Sequence, residues 1–143
     1  MNKRMILRIL GIILMLEAAF LLLPVLVAVI YRERAGRNYL YAALGCAALG
    51  LVLWRGCRTS LRTIYAREGL VTVALCWIVL SLAGALPFTL CGYIPYYLDA
   101  VFEMVSGFTT TGSSILPNVE LLNHCSLFWR SFSHWIGGMG ILV

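Results

Sequence analysis

From Met5 to Tyr31 the chain runs for 27 residues with only Arg8, Glu17 and Pro24 interrupting its apolar side chains. At a rise of 1.5 Å per residue, about 20 helical residues cross the roughly 30 Å hydrocarbon core of a bilayer. A run of this length predicts a membrane-spanning helix. The basic start at Lys3 and Arg4 would also suit a secretory signal. The apolar stretch is longer than such a signal uses, however, and no small-residue cleavage site follows it. An uncleaved first span is the better reading. Composition points the same way, with 62% of the 143 residues hydrophobic and 12% charged. Soluble domains hold about half and a quarter, and disordered chains are poorer still in apolar groups.

Two further runs have similar character. Tyr39 to Trp54 is short at 16 residues and is expected to extend into its flanks. Its small residues, Ala42, Ala43, Gly45, Ala47, Ala48 and Gly50, let neighbouring helices approach closely. Leu70 to Leu90 is a third span with Pro87 near its end, and Ser126 to Val143 reads as a fourth that stops without a flanking charge. Its 18 residues would rise about 27 Å, which suggests a chain ending inside a helix.

Ten of the eleven basic residues precede Glu68, in short clusters between the apolar runs. That is a topology signal, not a nucleic-acid surface. Lys3, Arg4 and Arg8 precede the first span, and Arg55, Arg58, Arg62 and Arg67 separate the second from the third. Arg32, Arg34 and Arg37 fall on the other side. Seven against three places the N-terminus in the cytoplasm. Cys46, Cys57, Cys76, Cys91 and Cys125 form no CxxC or CxxH spacing, which excludes a disulfide framework and a zinc site of the usual kind.

Tyr93 to Asn123 is too polar to span and too apolar for an ordinary loop. Within it, Tyr97 to Phe108 reads as a helix about 18 Å long, enough to cross half a membrane. Irregular backbone after such a half-helix is tolerated at membrane depth only when buried in protein or lining an aqueous cavity. This describes a re-entrant pore loop. The string that follows, Thr109-Thr110-Thr111-Gly112-Ser113-Ser114, suits a cation site. Carbonyls aimed at an axis replace an ion's hydration shell. Thr favours extended backbone, and Gly112 can take the positive φ that an inward-facing carbonyl often requires.

Three stretches resemble the N-terminal part of the TrkH/KtrB superfamily of potassium uptake proteins, specifically its TrkH type. They are REGLVTVALCWIVLSLAGALPF (Arg67 to Phe88), YLDAVFEMVSGFTTTGSS (Tyr97 to Ser114) and LFWRSFSHWIGGMGILV (Leu127 to Val143). The first two spans match only in character. The resemblance implies an all-α integral membrane fold. Residues 1–66 form a leading helix pair with a basic cytoplasmic linker, and residues 67–143 form a first helix–pore-loop–helix repeat whose last helix is incomplete. It implies K⁺ uptake across the bacterial inner membrane without an enzymatic step or a cofactor other than the transported ion. Thr110, Thr111 and Gly112 match the family's filter and would bind K⁺ through their carbonyls, with Ser113 as a further contributor. The implied partners are the lipid bilayer, a second copy of the full-length chain, and a cytoplasmic nucleotide-binding subunit of the TrkA/KtrA kind. The family carries four repeats around one pathway, whereas one is visible here, so a truncated chain is expected.

Blander readings stand beside these. The Thr-rich string also suits a tight turn capping the half-helix. Asp99 and Glu103, four apart, either concentrate cations at an outer mouth or anchor the helix by hydrogen bonds, and the anchor is preferred. Glu17 at mid-span is a functional candidate by default, yet a protonated or helix-paired structural role is preferred. His134 is read as a packing residue before a proton relay. Gly137, Gly138 and Gly140 are hinge or close-packing residues, and the four tryptophans are belt or packing residues. Cys91 and Cys125 flank the loop on its outer side, where a disulfide is the minor reading. Competing functions are a one-repeat subunit that forms a homotetramer, a non-conducting assembly module, and a membrane enzyme using Cys125, His124 or His134. No nucleophile–base–orienter set supports the enzyme.

Overall fold

The computed structural model describes residues 3–57 and 66–142. Met1, Asn2, Val143 and residues 58–65, which hold Arg58 and Arg62 of the basic linker, lie outside the described residues. Five α-helices follow in order: α1 (Lys3–Ile30), α2 (Gly36–Gly56), α3 (Ala66–Cys91), α4 (Tyr97–Phe108) and α5 (His124–Leu142). A short 3₁₀ turn at Val119–Leu121 precedes α5, and no strand occurs among the described residues.

By length and composition α1, α2 and α3 are able to cross a membrane. Each extends past its apolar run at one or both ends, and the short second run reaches 21 residues as expected. α1 and α3 continue through Pro24 and Pro87, both fully buried. The backbone groups that a proline frees within a membrane helix are satisfied by neighbouring helices or by local adjustment. The fourth expected span exists as α5, but composition alone does not mark it as a crossing helix. Arg130, Ser131, Ser133 and His134 lower its hydropathy. Much of that polarity is spent inside the fold, as described below.

α1 and α2 form an antiparallel hairpin zipped by small residues. A Cβ placed on Gly11 would lie 2.8 Å from the Gly50 carbonyl oxygen, and one on Gly50 would lie 2.7 Å from that of Gly11. Backbone thus meets backbone, the packing mode available where lipid offers no hydrophobic drive between helices. α3 packs on α1, α4 folds back against α3, and α5 closes over α4 and α1. The core between them holds Leu21, Tyr39, Phe88, Met104, Phe108 and Trp129, all essentially inaccessible. Trp129 Nε1 donates to the Gly84 carbonyl at 3.0 Å, which fixes α5 to α3. The outward faces carry Leu26, Val29, Leu44, Val52 and Ile78, side chains suited to acyl chains and not to water.

The Gly11–Gly50 contact yields a direct expectation. Gly50→Leu forces the two backbones apart and should cost about 1–3 kcal/mol, the usual penalty of overpacking. Gly45→Ala on the same helix meets nothing within 4 Å and should be neutral. Thermal denaturation of the detergent-solubilised protein, read as the fraction that survives size exclusion, separates the two.

Candidate functional site at the end of the half-helix

α4 begins at Tyr97 and carries Asp99 in its first turn, where a negative charge complements the helix dipole. It ends at Phe108, as expected, after 12 residues. At its end the Thr110 amide donates to the Gly107 carbonyl (3.0 Å), and the Thr111 amide donates to the Ser106 carbonyl (3.0 Å). This pair of bonds is the Schellman closure of a helix C-terminus, whose left-handed position is usually glycine. Here that position is Thr110, with φ 57°.

This differs from the extended backbone expected for the threonines. A β-branched residue in the left-handed region is a true conformational outlier, at a cost of order 1–3 kcal/mol. Helix closure overrides the intrinsic preference, and the Thr110 hydroxyl helps by donating to the Thr109 carbonyl at 2.7 Å. Gly112 takes φ 79°, as anticipated, and nothing lies within 4 Å of a Cβ placed there. The turn reading and the cation-site reading therefore describe one and the same segment. The amides of Thr109 to Gly112 all turn back into the helix end. The carbonyls of Thr110, Thr111 and Gly112 accept no hydrogen bond among the described residues, and this stretch is exposed. The Ser113 carbonyl accepts the Ser106 hydroxyl at 2.5 Å, which pins it while leaving one lone pair.

Behind the loop stands a network invisible to local sequence reading. Glu103 is 1% exposed and accepts the Ser114 hydroxyl (3.0 and 3.1 Å to its two oxygens) and the Ile115 amide (3.1 Å). The same carboxylate pairs with Nε of Arg130 on α5. Glu103 is therefore the anchor that was preferred, and it does not face an outer mouth. Arg130 was missed. Its signal was present, as the only basic residue after Arg67 and as a charge within an apolar helix. Gly137 is a close-packing residue, since a Cβ there would collide with the Phe108 carbonyl. His134 Nδ1 lies 2.8 Å from the carbonyl of Arg130 on its own helix, in keeping with a packing role.

Glu33 was also missed. From the α1–α2 turn it reaches the start of α5 and accepts the amides of His124 (2.9 Å) and Cys125 (3.2 Å). Its Oε1 also lies 2.9 Å from His124 Nδ1, and the His124 ring stacks on Tyr31 with centroids 4.1 Å apart. Partial burial pushes the Glu33 carboxyl upward, but the hydrogen bonds from His124 and Cys125 outweigh it and hold the group below the usual carboxylate range. Cys91 and Cys125 are free thiols and form no disulfide. Glu17 is 1% exposed, and neither carboxyl oxygen has a hydrogen-bond partner among the described residues, so the helix-paired form of its structural role is not found. It borders a cavity of about 180 Å³ between Phe20, Leu80, Phe108 and Trp129. Trp129 is a packing residue, whereas Trp54 and Trp135 are substantially exposed.

A half-crossing helix, a carbonyl-bearing turn at its end and flanking membrane helices define a pore-loop membrane protein. The comparisons with known proteins are specific. The TrkH family model, described as a cation transport protein, matches residues 35–143. An uncharacterized cation transporter of Methanocaldococcus jannaschii is 43% identical over 96% of this chain and 29% of its own length. The Trk system potassium uptake protein TrkH of Salmonella typhimurium is 41% identical over all of this chain and 30% of its own. The crystal structure of the potassium transporter TrkH from Vibrio parahaemolyticus superposes with a TM-score of 0.93 at 37% identity, covering 99% of this chain and 31% of that one. The chain belongs to the TrkH family, a transporter family and not an enzyme family, and spans about three-tenths of the length of these relatives.

Two outcomes follow from the anchors. Arg130→Met leaves the Glu103 carboxylate buried without its cation and should cost about 3–5 kcal/mol. Adding Glu103→Gln should recover much of that loss, and a double-mutant cycle on thermal denaturation in detergent measures it. For Glu33 the folded-state pKa lies below the unfolded one. Its contribution is therefore present at neutral pH and is lost as pH falls through the carboxylate range below about 4.3. Glu33→Gln should destabilise the protein by about 1 kcal/mol at pH 7. The gap from the parent should close as the melt is repeated down to pH 3.

Proposed function

We infer that this chain forms part of the pathway by which a Trk-type transporter takes up K⁺ across the bacterial inner membrane. The observation that carries this reading is the division of labour at Thr109–Gly112. The amides are consumed by the helix end, which leaves the carbonyls of Thr110, Thr111 and Gly112 free to receive a cation. Ser113 adds the remaining lone pair of its pinned carbonyl. The C-terminal end of α4 contributes the negative pole of its dipole at the same place. The ion is held by oxygen dipoles and released by the same weak, exchangeable contacts, without covalent chemistry or a cofactor.

One loop supplies one wall. A dehydrated ion needs oxygen ligands all round, so further copies of this unit complete the ring, either within a longer chain or from separate chains. Relatives named as Trk potassium uptake proteins, each more than three times the length matched here, favour the longer chain. Residues 1–66 then act as a leading helix pair and residues 67–143 as the first repeat. The complete transporter pairs with a second copy and takes its regulation from a cytoplasmic nucleotide-binding subunit of the TrkA/KtrA kind.

Gly112 gives the sharpest test. Its φ of 79° costs a residue with a Cβ about 1–2 kcal/mol, and with open space around it the backbone alone must absorb that cost. Rotation of a carbonyl away from the axis relieves the strain, and 1.4 kcal/mol between two ions is tenfold in relative binding. Gly112→Ser in the complete transporter should therefore reduce K⁺ over Na⁺ preference by about tenfold at unchanged abundance. Competitive ⁸⁶Rb⁺ uptake against rising Na⁺, in a bacterium lacking other K⁺ uptake, reads this out. Unaltered selectivity at normal abundance would reduce Gly112 to a turn residue.

A further inference from the structure

The α1–α2 turn places Arg32, Arg34 and Arg37 within six residues, and they are the three basic residues that oppose the charge bias of the chain. Glu33 among them holds the start of α5, just past the pore loop, so the cluster lies on the same side of the fold as that junction. All three arginines are exposed, and none makes an ion pair or hydrogen bond through its side chain among the described residues. The nearest acid in sequence, Glu33, is already committed to His124 and Cys125.

These arginines rim a pocket of about 440 Å³ that Glu33, turned toward His124 and Cys125, also lines, and whose remaining wall includes Val25, Val29 and Leu40. Val29 lies about one turn below Arg32, and Val25 about two, within roughly 10 Å along the helix. On the membrane reading of α1, the guanidinium groups then stand near the lipid headgroups with apolar side chains beneath them. The N-terminus of α2, at Gly36 and Arg37, opens onto the same pocket and adds the positive pole of its dipole. A free anion has no use for the valine and leucine wall, and an acyl chain has no use for three guanidiniums. A phosphate headgroup with its acyl chain attached uses both.

We propose that this pocket binds an anionic phospholipid. The phosphate is held by the forked donors of Arg32, Arg34 and Arg37, and the first carbons of the acyl chain lie along Val25, Val29 and Leu40. Basic pockets between membrane helices take anionic headgroups in this way. The site rests on the membrane reading of α1 and α2 and is independent of the loop's selectivity. It also gives a role to three arginines on the side where the charge rule counts against them: a bound lipid phosphate offsets part of their charge in place.

The test is native mass spectrometry of the full chain in mild detergent, with phosphatidylglycerol or phosphatidylcholine of identical acyl chains added. Phosphatidylglycerol should be retained in preference to phosphatidylcholine. Each guanidinium removed should weaken phosphatidylglycerol retention about fivefold, so Arg34→Gln/Arg37→Gln together should weaken it about 25-fold and narrow its lead over phosphatidylcholine, whose choline already offsets the same phosphate. Arg55→Gln, at the far end of α2, is the control for net charge and should have no effect. If the double glutamine variant does not fold, Arg34→Lys/Arg37→Lys keeps the charge, loses the fork and should show an intermediate loss. Equal retention of the two lipids, or undiminished phosphatidylglycerol on the variants, overturns the proposal. Displacement of the lipid by millimolar inorganic phosphate would make this a free-anion site instead. Absence of any bound lipid on the parent protein, as when an acidic segment of a longer chain covers the arginines, overturns it as well.

Discussion

A helix that ends after three turns leaves its last carbonyls and the amides that follow in need of partners, and the architecture around α4 answers most of that constraint. Unpaired backbone groups in hydrocarbon cost several kcal/mol each. The Schellman closure through Thr110 and Thr111 disposes of the amides by turning them inward. With the amides so used, the carbonyls of Thr110, Thr111 and Gly112 are left without hydrogen bonds among the described residues, in an exposed stretch. The carbonyls proposed to receive the ion are thus the remainder of a hydrogen-bond ledger. The left-handed Thr110 is the strained point at which that ledger closes.

Strain of this kind persists only where the surroundings over-determine the backbone. Glu103 and Arg130 provide that hold from below. The carboxylate grips Ser114 and Ile115 on the outgoing chain, while its own helix carries the incoming chain and Arg130 ties both to α5. A buried ion pair is weak evidence of stability, because desolvation of both charges offsets their attraction. Its value here is positional: two backbone segments and two helices share one carboxylate. Ser106 adds a second stitch across the turn through Ser113.

What was legible in the sequence was whatever repeats along one helix or fills one length. Apolar runs of membrane length gave α1 to α3, and the short helix read over Tyr97 to Phe108 within the mixed stretch gave α4 at its true ends. The positive φ of Gly112 was legible because only glycine takes it cheaply. Arg130 and Glu33 were not, because their partners lie 27 and 91 residues away and a pair so distant leaves no local period. Thr110 was misread for a related reason. Intrinsic preference favoured extended backbone, and tertiary closure of the half-helix outweighed it. Glu17 showed itself as an anomaly in an apolar run, but nothing local announced that its carboxyl would lie among Gly84, Phe108 and Trp129.

The end of α4 is backed unequally. On the α5 side the Phe108 carbonyl rests on Gly137 so closely that no methyl group fits between them, and Gly107 is equally tight against Ser133. Packed backbone of this kind does not yield by a few tenths of an ångström without moving a whole helix. On the α1 side the ring of Phe108 borders the cavity of about 180 Å³ that Glu17 also lines. That cavity is shared between helices, since Leu80 of α3 and Trp129 and Ile136 of α5 line it as well. The Phe108 ring therefore has free volume beside it, while the Phe108 carbonyl has none where it meets Gly137. The leading helix, which contributes no atom to the turn itself, thereby helps to shape the space beside the last residue of α4.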